Sequence, residues 1–131
     1  MITMAKSVTP HDTCPMALGI NVLSGKWKLK ILWNIHKEEK IRFNELQRRL
    51  GNITTRTLTA QLKELETQKI IQRTVFPETP PKVEYSFTET GRTLEPVLKS
   101  LCDWGIQYLQ RVNADSDILQ SSKQNAGGDE K

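Results

Sequence analysis

The chain has 131 residues, 37% of them hydrophobic and 26% charged, a composition that fits one folded domain and excludes both a membrane-embedded and a wholly disordered protein. Its net charge is +4 and unevenly spread: residues 24–73 carry 12 Lys/Arg against 5 Asp/Glu, while residues 112–131 carry two against four. A basic central segment points to a polyanionic partner, and two distant cysteines, Cys14 and Cys102, exclude a disulfide framework or a zinc site and suit a reducing compartment.

Residues 1–12 read as a flexible arm. They lack the continuous apolar run of a secretory signal, and no segment of the chain approaches the roughly 20 apolar residues needed to cross a bilayer. The expected location is therefore cytoplasmic, with no membrane partner. Residues 13–111 read as one folded domain and residues 112–131 as a disordered polar tail.

Within the domain, Pro15 opens a short helix with Met16, Leu18, Ile20, Val22 and Leu23, which stops near Gly25. Trp27, Ile31, Leu32 and Ile35 repeat at helical spacing and predict a second helix to about Lys37. A very short strand is expected over 41–43. Asn44 and Gln47 have the spacing of a capping pair for a helix bearing Leu46 and Leu50. Gly51-Asn52 breaks that helix, and Leu58, Leu62 and Leu65 mark the next, with Thr54 as its N-cap. Two helices joined by so short a turn have the spacing of a helix-turn-helix.

After Lys69 the period changes to alternation. Ile71, Arg73 and Val75 share one face of a strand and Val83, Tyr85 and Phe87 one face of another, with Lys82, Glu84 and Ser86 opposite. The intervening PETPP stiffens the connection, so the pair reads as a hairpin. Thr88 is placed to cap a final helix whose apolar positions, Leu94, Val97, Leu98, Leu101, Cys102, Trp104, Tyr108 and Leu109, form a stripe wider than packing on one neighbour requires.

This order is that of a winged helix-turn-helix: an α+β, mainly helical domain with a two-stranded β wing. With Leu58, Leu62 and Leu65 inward, a step of about 100° per residue leaves Arg56, Thr59, Ala60, Lys63 and Thr67 outward. That face is cationic, hydroxyl-bearing and free of large apolar groups, so it fits a DNA major groove. Thr54, Thr55 and Thr57 sit at the helix N-terminus, where free N–H groups and short hydroxyls suit phosphate. Arg56 has reach enough for a guanine edge or a phosphate. Arg42, Arg73 and Lys82 are weaker candidates for phosphate contacts. An ordinary amphipathic helix with a solvated polar face is the bland alternative, and the hairpin directly after it shifts the balance toward DNA.

Three stretches, CPMALGINVLSGKWKLKILWNI, RFNELQRRLGNITTRTLTAQLKELE and FPETPPKVEYSFTETGRTLEPVLKSLCDWG, resemble the HxlR-type family of bacterial winged-helix regulators. The resemblance spans residues 14–108 and implies a homodimeric transcription factor on double-stranded DNA, with the first and last helices as dimerisation helices. It thereby implies an interface of Met16, Leu18, Leu98, Leu101, Cys102, Trp104 and Tyr108, and two reading helices on a pseudo-palindromic operator. Some members sense oxidants or electrophiles through a cysteine just before the first helix, the place Cys14 occupies. A thiol there meets free N–H groups and the positive end of the helix dipole. The competing reading is a structural cysteine half-buried between protomers, and Cys102 reads as packing.

An enzyme is not expected. The histidines, His11 and His36, have no nucleophile at credible spacing, and no glycine-rich phosphate loop, metal site or cofactor motif is present. A small-molecule effector is left open. The remaining rival is a winged helix used for protein contacts or RNA, without a promoter of its own, which predicts apolar or acidic groups where Arg56, Thr59 and Lys63 stand.

Overall fold

The computed structural model describes residues 14–123, with side chains through residue 115. The expected arm, residues 1–12, lies outside the described residues. The chain divides into two compact units, one ending at Glu95 and one beginning at Pro96.

In the first unit, helix α1 (Pro15–Leu23) starts with proline at its first position, where a missing N–H costs nothing. Helix α2 (Lys28–Glu38) buries Ile31, Leu32 and Ile35 completely. Glu39, at φ 68°, closes it by donating its N–H to the Ile35 carbonyl and turns the chain into strand β1 (Lys40–Arg42). Helix α3 (Phe43–Leu50) and helix α4 (Thr55–Thr67) come next, separated by four residues in which Gly51 adopts φ 88°.

Strands β2 (Ile71–Phe76) and β3 (Lys82–Phe87) form the hairpin. Strand β3 is central in an antiparallel sheet of order β1-β3-β2, with Ile41 opposite Tyr85 on one side and Ile71 opposite Phe87 on the other. The core is continuous from α2 through Leu46, the three leucines of α4, Ile41, Ile53, Ile70, Ile71, Tyr85 and Phe87. It reaches only the base of the hairpin. Ile71 is buried but Arg73 and Val75, on the same face, are exposed because the strands project beyond the helices, as a wing does.

Thr88 ties the sheet to the turn of helix beyond it. Its hydroxyl lies 2.6 Å from the Lys69 carbonyl and accepts the Gly91 N–H at 2.9 Å, while its own N–H donates to Ile70. A Cβ at Gly91 would fall 1.9 Å from the Ile70 carbonyl oxygen, so only glycine lets this turn close on the sheet.

Several boundaries differ from the sequence expectation: the short strand is Lys40–Arg42 rather than 41–43, and Phe43 is already helical. Helix α3 begins at Phe43 with Arg42 as an N-cap that makes no side-chain hydrogen bond, because pairing of Arg42 with Glu84 holds the chain extended up to that residue. Asn44 therefore caps nothing, and Gln47 serves elsewhere. Thr88 caps a separate four-residue helix, α5 (Glu89–Arg92), and the last helix, α6 (Glu95–Lys123), begins afterwards. Pro96 has no N–H to continue the ladder of α5, so the chain must break and restart.

The second unit is the rest of α6. It runs past Arg111 to Lys123, where a disordered tail is expected, and the stretch is free of proline and glycine until Gly127. Residues 124–131 of that expected tail lie outside the described residues. Val97, Leu101, Trp104, Tyr108 and Val112, spaced at three and four residues, are all exposed.

Candidate nucleic-acid interface

Helix α4 is set by its leucines. Leu58, Leu62 and Leu65 are at most 1% exposed, while Arg56, Thr59, Ala60, Lys63 and Thr67 all face solvent. Among the described residues, neither Arg56 nor Lys63 has an ion-pair partner, and nor do Arg42 and Arg73. The outward face thus presents free cations on a frame that cannot roll without exposing the leucines.

The threonines serve the frame first. Thr54 Oγ1 accepts the Thr57 N–H at 3.1 Å, as an N-cap, and lies 3.0 Å from Thr57 Oγ1. Gln47 donates to both the Ile53 carbonyl at 3.2 Å and Thr55 Oγ1 at 3.1 Å, bracing the turn between α3 and α4. Thr54, Thr55 and Thr57 are therefore engaged in holding the N-terminus of α4, although hydroxyl lone pairs and exposed N–H groups remain on its surface. Thr59 has no such engagement. The bracing role of Gln47 was not visible in its sequence spacing, which suggested a cap.

Other cations are already paired. Glu45 accepts hydrogen bonds from Arg48 and, at 2.8 Å, from Arg49, which also donates to Glu38 at 2.7 Å. Hydrogen bonds from Arg48 and then Arg49 hold the pKa of the Glu45 carboxyl down to about 2. Lying at the surface within reach of water, these pairs add little to fold stability. What they add is present above the ordinary carboxylate range and is lost as pH falls through about 2, since protonation of Glu45 removes the charge that both arginines share, although Arg49 keeps its bond to Glu38.

Lys82 is not the free wing cation that the sequence suggests. Its ammonium lies 3.8 Å from both Glu78 and Glu84 and 4.4 Å from the centre of the Phe76 ring. Glu84 shares its face of β3, so the acid was in view in the alternation. The wing cation left open is Arg73.

Cys14 is exposed at the N-cap of α1 and Cys102 is half-buried in α6. Of the residues expected between protomers, Met16 is 71% exposed and Leu101, Trp104 and Tyr108 are exposed, whereas Leu98 is buried within the single chain and so is a core residue. An open apolar depression of about 270 Å³ borders α1 and α5, lined by Leu18, Val22, Leu23, Ile70, Thr90 and Leu94. Among the described residues no helix is long and apolar enough to cross a membrane.

The model of the HxlR-like helix-turn-helix family matches residues 22–113. The chain belongs to that family. It is 46% identical over 102 residues to YdeP of Bacillus subtilis, an HTH-type transcriptional regulator, covering 78% of this chain and 79% of YdeP. The redox regulator HypR in its oxidised form superposes on this HxlR-like chain with a TM-score of 0.68 at 46% identity, over 72% of this chain and 96% of HypR. The reduced form of HypR gives 0.67 at 42% identity, over 82% and 98%. The HxlR-like chain is thus a DNA-binding regulator of transcription with a winged helix-turn-helix, and its relatives are regulators rather than enzymes.

Proposed function

We propose that the protein binds double-stranded DNA as a homodimer on a pseudo-palindromic operator, each protomer placing the outward face of α4 in a major groove. The observation that carries this reading is the pairing of a leucine-anchored inner face with an outer face whose cations, Arg56 and Lys63, have no protein partner among the described residues. Arg42 and Arg73 extend the positive surface to the start of α3 and to the wing as phosphate contacts. Lys82 contributes only if phosphate displaces its carboxylates. Thr54, Thr55 and Thr57 present the N-terminus of α4, and Thr59 and Ala60 permit close approach to base edges.

Selection from random-sequence duplex DNA, with footprinting of the enriched duplexes, tests this. The expected product is two inverted half-sites with centres about one helical turn apart, bound with an affinity that falls steeply as salt rises. Failure to enrich any duplex sequence would favour the protein- or RNA-contact reading instead.

Cys14 is the proposed oxidant-responsive thiol. It is exposed, it stands at the N-terminus of α1, and HypR, named a redox regulator, has the same fold. Diamide, which joins two thiols as a disulfide, is expected to change the operator affinity of the wild-type protein and leave Cys14→Ser unchanged. Equal affinity in all four samples removes the sensor assignment.

A further inference from the structure

Lys28 is the first residue of α2, and its side chain is only 8% exposed. Its Nζ lies 2.6 Å from Glu64 Oε1 on α4, whose side chain is 57% exposed. For the fold alone this is a poor choice. A cation is placed at the positive end of a helix, is stripped of water, and has further lysines two residues away on either side, Lys26 and Lys30, both lying over Trp27. An apolar residue of similar volume would suit the same position better.

The explanation lies with the partner. Glu64 flanks the outward face of α4: it stands next to Lys63, lies one turn after Ala60, and lines a shallow surface groove with Ala60, Lys63, Thr67 and Gln68. A bare carboxylate there would stand against the phosphates of any duplex that α4 entered. Lys28 approaches from beneath the helix, so it can cancel this charge without occupying the surface that DNA would cover.

We propose that Lys28 is a positioning residue for DNA binding that never touches DNA: it neutralises Glu64 and holds its carboxylate down on the α2 side of the reading helix. The inference rests on the reading of α4 as the DNA-facing helix.

Fluorescence anisotropy with a labelled duplex, selected by the wild-type protein from a random library, tests it across a salt series. Lys28→Met is expected to bind about tenfold more weakly at low salt, with the deficit shrinking as salt screens the exposed carboxylate. Its melting temperature is expected to be no lower than that of the wild type. The double variant Lys28→Met/Glu64→Gln regains most of the lost affinity, because no charge is left to cancel; a packing role for Lys28 would leave it weak. Glu64→Gln alone binds more tightly than wild type at low salt. Wild-type affinity in Lys28→Met, or a double variant as weak as the single, overturns the inference. Arg56→Ala in the same titration separates the two readings: if it weakens binding while Lys28→Met does not, only the role of Lys28 fails, and if neither does, the DNA-facing assignment of α4 fails.

Discussion

Arg56→Ala is expected to reduce affinity for the selected operator by about 1–3 kcal/mol for each α4 engaged, which across two half-sites is roughly thirtyfold or more. The magnitude comes from position. Arg56 is the second residue of α4, exposed and unpaired among the described residues, on a turn held by the Thr54 cap and the Gln47 brace. It therefore gives up no protein partner on meeting DNA, and the helix that carries it does not need it: thermal stability is expected to stay within about 0.5 kcal/mol of wild type. The pattern of the loss identifies the contact. A bidentate bond to guanine concentrates the loss at one base pair in each half-site and relaxes selection there. A phosphate contact lowers all affinities alike and reduces the salt slope by about one per protomer. Lys63→Ala, further along the same exposed face, is expected to act in the same direction. Undiminished binding by both variants would mean that another surface reads DNA.

The features legible in the sequence are those whose cause is local. Leucines at 58, 62 and 65 fix the direction of α4, Gly51 ends α3, and alternation from Ile71 and from Val83 locates the two wing strands. The N-cap at Thr54 is a short-range effect and stands where the sequence puts it. The features that were not legible depend on partners far along the chain. Whether Arg42 is extended or helical is decided by Glu84 across the sheet, so the start of α3 is not written near Asn44. The bond between Lys28 and Glu64 joins α2 to α4, and no periodicity in either helix announces it. The missed break before α6 is different: Pro96 was in plain view, but Thr88 is so good a cap for α5 that its signal masks the second start at Glu95. The neutralisation of Lys82 was half legible, since Glu84 shares its face, while Phe76 meets it through the hairpin register, where it stands opposite Lys82, and Glu78 reaches it from the turn. For the candidate site the consequence is a narrower set of free cations than charge counting suggests, concentrated at Arg56 and Lys63.

Leu101→Glu/Trp104→Glu is expected to convert a dimer into a folded monomer that scarcely binds the operator. Val97, Leu101, Trp104, Tyr108 and Val112 lie on one side of α6 and are between 37% and 60% exposed, and the Trp104 and Tyr108 rings are already stacked at 5.1 Å. An apolar strip of that extent is seldom left to water in a monomer, and the preset aromatic pair loses little side-chain freedom on meeting a second copy. Met16 and Ile20 of α1 are exposed as well, at 71% and 55%. Two carboxylates introduced in each protomer would be buried and unpaired in such an interface, a cost of several kcal/mol. The same positions are open in the single chain, so the fold of each protomer is expected to survive. Light scattering should give twice the chain mass of 15.0 kDa for the wild type and the single mass for the variant. Operator affinity should fall by about 10²-fold or more, because one α4 then binds without the effective concentration supplied by the other. A monomeric wild type at micromolar concentration, or a variant that still dimerises, would place the interface elsewhere. Retained operator affinity in a variant proven monomeric would show that one protomer suffices, and the inverted half-sites would then need another cause.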